Sequence, residues 1–295
     1  MNKEIPDWIL DRIPEYKKIE YIPKAFSDST HHLWRLLGSG DDDKNHFLKV
    51  CSNSESPFWK IMHDLFEFDL NKEISSFSDT YEFIDTACSL EIPEFIKAET
   101  LSNNHAYILT SELQGKALGS SFTNEMVKQL ANHLGELHSI SRDNWGRLND
   151  PQKDAFDWSN CLADTLKKST KRWGDVFGKL NSTAFLHSDE YLEQALVVCK
   201  LIQVTSFVPM MPDLRSDQFL QAEDKITALV DLDAFVFAPR ELDIVILEYL
   251  LTSDQVEIFK QVYLEHHGIP EIHDVRPAYR LLLFYMQILG ESDLD

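Results

Sequence analysis

Glycine is scarce in this chain, with ten in 295 residues. No GxSxG elbow and no Walker phosphate loop is present, which removes the common serine-hydrolase and P-loop readings. Cysteine is scarcer still. Cys51, Cys88, Cys161 and Cys199 stand far apart. With no CxxC pair and no Cys/His ligand spacing, neither a zinc site nor a disulfide framework is expected, and reduced, mostly buried thiols are. Long apolar runs are missing too. No stretch reaches the roughly 18 residues of a membrane span. The opening segment, MNKEIPDWILDRIPEYKKIE, has charges and prolines where a signal peptide has its apolar core. A soluble, cytoplasmic protein without membrane contact is therefore expected. Positive charge is in deficit: 28 Lys and Arg against 49 Asp and Glu leave a net −21. So acidic a surface repels a phosphate backbone, so nucleic acid is excluded as a partner. Solubility accounts for most of the imbalance, and cationic small molecules would be drawn to it. Nothing points to an obligate protein partner.

What is present divides in two. The first hundred or so residues mix short strand-like runs with turns. Residues 32–37 (HLWRLL) and 46–50 (HFLKV) flank the polar turn GSGDDDKN and predict a hairpin. A helix is expected over 57–70, with Phe58, Met62, Leu65 and Phe66 on one stripe and Pro57 near its start. Strands are expected over 94–98 and 106–109. Beyond the small-residue connection GKALGSSF (115–122) the character turns helical. Residues 124–140 carry Met126, Leu130, Leu134 and Leu137 on one face, with Asn124 able to cap. Further helical stretches lie near 154–180, 188–202, 241–251, 253–266 and 276–289. In HLGELH the spacing is wrong for the zinc-protease motif, so His133 and His138 are expected on or beside the core face. His266 and His267 are expected to complement a helix end. A β-rich part followed by a helix-rich part predicts an α+β protein of two lobes, residues 1–113 and 114–295, with a ligand cleft between them.

The chemistry concentrates in residues 211–243. Asp213 sits in MPDLRSDQFL, Gln218 follows five positions later, Asp231 ends the apolar run ITALV eighteen positions after Asp213, and Asp243 lies twelve beyond. A loop carboxylate, an amide and a carboxylate at a strand end are what a metal-nucleotide kinase needs. Asp213 would orient or deprotonate the attacking hydroxyl, and Arg215 would steady the charge of the transferring phosphoryl group. Gln218 and Asp231 would hold magnesium. Asp217 and Asp233 are spare acids nearby that could assist the metal, though solvation on the surface is expected, and Asp243 suits a capping or bracing role. Lys49, flanked by strand residues, would bind nucleotide phosphates; Asp64, Glu67 and Glu55 are open as its acidic partner. In YILTSELQG (107–115) the backbones of Ser111 and Leu113 would meet an adenine ring. The bland alternatives are a surface lysine, an inter-domain turn and unrelated surface acids. The joint spacing argues against unrelated surface acids and the wider pattern against a surface lysine, while the inter-domain turn stays open.

These residues resemble the aminoglycoside phosphotransferase and choline-kinase-like group of the protein-kinase-like fold. There the catalytic stretch runs His-Gly-Asp, four variable positions, Asn, with a metal aspartate eighteen residues on and a structural aspartate twelve later. LANHLGELHSI is similar to that group's helix ending in Leu-His, and YILTSELQG to its hinge strand. Here Met211-Pro212 stand for His-Gly and Gln218 for Asn, and the phosphate-covering stretch FSDSTH (26–31) offers hydroxyls such as Ser29 where glycine is usual. The resemblance implies an ATP- and Mg2+-dependent kinase acting on a hydroxyl of a small-molecule acceptor, such as an amino sugar or another cationic metabolite. The alternative it implies is a catalytically weak or silent nucleotide-binding or regulatory protein. A dehalogenase-like phosphatase reading of ALVDLDAF leaves only about sixty residues for the rest of that fold, too few.

Overall fold

Strand alternation sorts the N-terminal residues onto two faces of one sheet. The computed structural model describes residues 5, 7–13, 16, 18–23, 31–38, 44–52, 56–102, 105–177 and 188–288. After a one-turn helix α1 (Asp7–Leu10) come β1 (Lys18–Ile22), β2 (His31–Leu37) and β3 (His46–Ser52). Helices α2 (Pro57–Phe66), α3 (Leu70–Glu73) and α4 (Phe77–Ala87) follow, then β4 (Phe95–Ser102) and β5 (His105–Ser111). The five strands form an antiparallel sheet in the order β1-β2-β3-β5-β4. Both predicted strand pairs are there. Trp34, Leu36, Leu48 and Val50 share one face with Tyr107 and Leu109, and pack against Ile5, Ile9 and Ile13 in a small separate core. Cys51, Ala106 and Ile108 belong to the main core on the other face. Lys49, between Leu48 and Val50, therefore takes the inner face.

Helix α2 starts as its sequence requires. Ser56 caps it, its Oγ accepting from the Trp59 N–H at 3.4 Å, and Pro57 stands in the first turn. It ends four residues short of the expected position. Glu67 adopts a left-handed φ of 55° and its N–H turns back to the His63 carbonyl.

The second part is mostly helical. In chain order it contains β6 (Lys116–Ala117), α5 (Asn124–His138), β7 (Asn144–Arg147), β8 (Asp150–Asp154), α6 (Trp158–Phe177) and α7 (Ser188–Cys199). There follow β9 (Val208–Met210), β10 (Phe219–Ala222), β11 (Lys225–Leu229), β12 (Val236–Ala238), α8 (Arg240–Leu250), α9 (Ser253–Tyr263) and α10 (Arg276–Met286). Two small sheets, β11-β10-β6 and β8-β7-β12-β9, frame the loops that matter below. One local expectation needs correction and another holds. Thr123, not Asn124, caps α5, accepting from Met126 N–H at 3.2 Å, because the helix begins at Asn124 itself. His266 and His267 do serve helix ends: both N–H groups donate to the Tyr263 carbonyl at the end of α9 at 2.9 Å, and the His267 side chain reaches the last turn of α5. They lie against α5, where His266 Nε2 meets Asn132 Oδ1 at 3.0 Å and His267 Nε2 meets the Gly135 carbonyl at 3.0 Å. All four cysteines are free thiols, two buried and two half-buried. Among the described residues no helix is long and apolar enough to cross a membrane.

Candidate active site

Strand β9 delivers the chain into a tight loop. Met211, Pro212 and Leu214 are buried, and a turn closes with Leu214 N–H donating to the Met211 carbonyl at 3.0 Å. Asp213 is thus carried on an apolar base. The next residues make a single 3-10 turn, 216–218, braced by one side chain. Gln218 is buried; its Oε1 accepts from Arg215 N–H at 2.8 Å and its Nε2 donates to Asp213 Oδ2 at 3.4 Å. The β10–β11 hairpin then brings the chain back, so that Val230 N–H donates to the Gln218 carbonyl at 2.8 Å. Asp231 follows with a φ of +68°, a conformation that aspartate tolerates better than most side chains and that breaks the strand here.

The two lobes meet in a charge cluster. Lys49 from β3 forms ion pairs with both Asp231 and Asp233. Asp233 is therefore not a solvated surface acid: its side chain is 4% exposed and it holds Lys49. The helix acids weighed as partners for that lysine are engaged elsewhere. Asp64 pairs with Arg172 at 2.8 Å and Glu67 with Lys153 at 3.2 Å, while Glu55 lies outside the described residues. Asp217 is not left to solvent either. It takes Arg215 Nε at 2.9 Å, which holds the guanidinium with an Nη1 3.7 Å from Asp213 Oδ2.

Three carboxylates against two fixed cations leave a surplus of negative charge in a buried place. Burial raises the Asp213 carboxyl to about 7, the Asp231 charge adds to the rise, and Arg215 opposes it. Burial likewise raises Asp233 to about 6, against the pull of Lys49. At Asp231 burial also pushes upward, but Lys49 outweighs it and holds that carboxyl well below the usual range. Burial alone would lower Lys49; the Asp231 and Asp233 charges reverse this and raise it well above its ordinary value. Asp213 Oδ1 is buried with no hydrogen-bond partner. An orphaned acceptor of this kind is costly unless something donates to it in the working state.

The other expected contacts fall as follows. Ser111 N–H donates to the Glu94 carbonyl at 2.9 Å, so that donor is engaged within the protein. Leu113 lies just past the end of β5, half-buried, where the chain passes from one lobe to the other. Ser29 lies outside the described residues. Asp243, in the first turn of α8, is fully buried and meets His138 Nε2 at 3.0 Å, while His138 Nδ1 meets the Tyr263 hydroxyl at 2.7 Å. This bridge ties α5, α8 and α9 together beneath the site. Sequence reasoning missed Asp233 as the partner of Lys49; its position two residues from Asp231 was the available signal.

No family model matches the chain, and no curated protein matches it by sequence. Solved structures do match. A macrolide 2'-phosphotransferase, MphH of Brachybacterium faecium, superposes with a TM-score of 0.61 at 12% identity, covering 98% of this chain and 94% of that one. The chain has the fold of the small-molecule phosphotransferases. A spectinomycin phosphotransferase, APH(9)-Ia, solved with ADP and spectinomycin, gives 0.63 at 12% identity, covering 96% of this chain and 87% of its own. A putative fructosamine-3-kinase from Haemophilus somnus gives 0.59 at 17% identity, covering 92% and 85%. In this phosphotransferase fold the β-rich lobe and the helical lobe are those of the protein-kinase-like proteins, as the sequence resemblance implied. At such identities the likeness establishes the fold alone.

Proposed function

We propose that this protein is an ATP-dependent phosphotransferase that transfers a phosphoryl group to a hydroxyl of a small molecule, between lobes of residues 1–113 and 114–295. The observation that carries this reading is the orphaned Oδ1 of Asp213 beside the Lys49–Asp231–Asp233 cluster. A hydroxyl entering there would donate to Oδ1, and the raised basicity of Asp213 suits it to take that proton as the oxygen attacks phosphorus. Arg215, pinned by Asp217, lies close enough to stabilise negative charge on the transferred group. Lys49, held by Asp233, would pair with nucleotide phosphates. Backbone groups of Leu113, and Ser111 through its carbonyl, are the nucleobase contacts of this reading, and Ser29 a phosphate contact.

The surplus of carboxylate also fits Mg2+. Asp231 would hold the ion with one carboxylate oxygen, and the ion would neutralise charge on the phosphate oxygens. Gln218 fits less directly. Its oxygen already accepts from Arg215 N–H, so only its remaining lone pair is open to a metal. The same observation favours a second reading, a nucleotide-binding protein with little turnover.

The test is a melting series with ATP and Mg2+, run beside a transfer assay on amino sugars, macrolides and fructosamines. At a hundredfold excess over Kd, nucleotide should stabilise the protein by about 2.7 kcal/mol, and Asp231→Asn should lose most of that shift. Transfer abolished by Asp213→Asn with binding kept supports the enzyme. A shift without transfer supports the second reading, and no shift at all removes both.

A further inference from the structure

Among the described residues, one group of three side chains combines the donor types of a softer cation. His31, Cys51 and Asp233 each place one ligand atom within 4.8 Å of the others. The register explains two of them. His31 in β2 stands directly opposite Cys51 in β3, and opposed residues of an antiparallel pair project from the same face. Leu48 and Val50 face the outer core, so Cys51 falls on the inner face with Lys49. The third, Asp233, arrives from the connection between β11 and β12 in the other lobe. The spacing 31, 51, 233 matches no local metal motif, so no zinc signal is legible in the primary chain.

The chemistry differs from that of the phosphate-binding cation. Mg2+ takes oxygen ligands and rejects sulfur, whereas a thiolate, an imidazole and a carboxylate are the donors of Zn2+. Cys51 is fully buried and unpaired. Burial, followed by the Asp233 charge, pushes its thiol far up, so it is a poor nucleophile toward oxidants or alkylating agents. A bound cation changes that balance by replacing the proton.

We propose that His31, Cys51 and Asp233 form a regulatory site for a divalent cation of the Zn2+ class, separate from the Mg2+ position at Asp231. Tetrahedral ligands on zinc stand about 3.3–3.8 Å apart, so the three atoms need to close by about 1 Å. On binding, the thiol proton leaves to solvent, sulfur and nitrogen each give a lone pair, and Asp233 turns from Lys49 to the ion. Lys49 loses a fixed partner and the β2–β3 hairpin becomes tied to the Asp231 segment. The occupied state is therefore inhibited and more resistant to heat.

The experiment uses the metal-stripped full chain without an affinity tag, titrated with Co2+. One equivalent should produce a thiolate-to-cobalt charge-transfer band in the near ultraviolet, displaced by Zn2+ and untouched by excess Mg2+. Cys51→Ser should abolish the band, His31→Gln should weaken cobalt affinity about tenfold or more, and Asp231→Asn should leave the band in place. Absence of the band in folded wild type overturns the proposal, as does a band that persists in Cys51→Ser. If Cys51→Ser does not fold, His31→Gln decides, and unchanged affinity overturns it. These spectra do not depend on phosphoryl transfer. If transfer is observed, zinc should inhibit the wild type at lower concentration than His31→Gln.

Discussion

Asp213 carries the sharpest single-residue expectations. Its carboxyl is raised to about 7, so it is largely protonated below that pH and ionised above it. A base must be ionised to act, so kcat/KM for nucleotide, which reports the free enzyme, should fall as pH drops through about 7. Arg215 opposes the rise at Asp213. Arg215→Gln should therefore move this acid limb to higher pH as well as lowering the plateau. A limb that stays in place in that variant would separate Arg215 from Asp213. Asp213→Asn should lower kcat by about 10²–10⁴-fold while leaving the melting shift with nucleotide intact. Gln218 belongs beside these residues. Its two hydrogen bonds hold Arg215 and Asp213 in one loop, so Gln218→Ala should cost about 1–3 kcal/mol of stability on top of any change in the Mg2+ requirement, read by denaturant melts.

Helix α5 shows how packing overrides local preference. Gly135 lies in its buried stretch, where alanine would ordinarily gain about 1 kcal/mol. A Cβ placed there would come within 2.5 Å of His266 Cγ and 2.9 Å of its Cβ. Gly135→Ala should instead destabilise by about 1–3 kcal/mol, and adding His266→Ala, which removes the ring contacts but keeps the Cβ contact, should recover part of that loss, a double-mutant cycle with strong coupling. The same helix contains an acid-sensitive point. Burial lowers His133 from 6.5 to about 3, with His138 adding to the drop, and its Nδ1 has no hydrogen-bond partner. In the unfolded chain this histidine takes up a proton as pH falls below 6.5, while the folded chain does not until about 3. Stability from His133 is thus complete above 6.5 and declines as the solution is acidified, by about 2 kcal/mol at about pH 5. His133→Leu should flatten that slope in thermal melts taken across the range.

At the scale of the whole molecule, the parts legible in the sequence were those fixed by periodicity and spacing. Alternation in HLWRLL and HFLKV set the hairpin and the inward face of Lys49, and the interval from Asp213 to Asp231 anticipated two carboxylates in one electrostatic cluster. What the sequence could not convey depends on how distant segments fold back. The partner of Lys49 is Asp233 because the β11–β12 connection returns beneath β3, leaving Asp64 to Arg172. The direction of the Gln218 amide follows from the Arg215 N–H three residues earlier in the loop, a contact set by how that turn closes. The seating of His266 against Gly135 is likewise a contact across more than a hundred residues.

The outer face of the five-stranded sheet is roofed by buried Ile5, Ile9 and Ile13, with Tyr16 packed beside them. Removing the first thirteen residues would strip the roof from Trp34, Leu36, Leu48 and Val50. A truncated variant should bind a hydrophobic dye and sediment as aggregates at concentrations where the full chain stays dispersed. A short leading segment therefore works as a built-in sealant, and any fusion placed ahead of it must leave the three isoleucines in their seats.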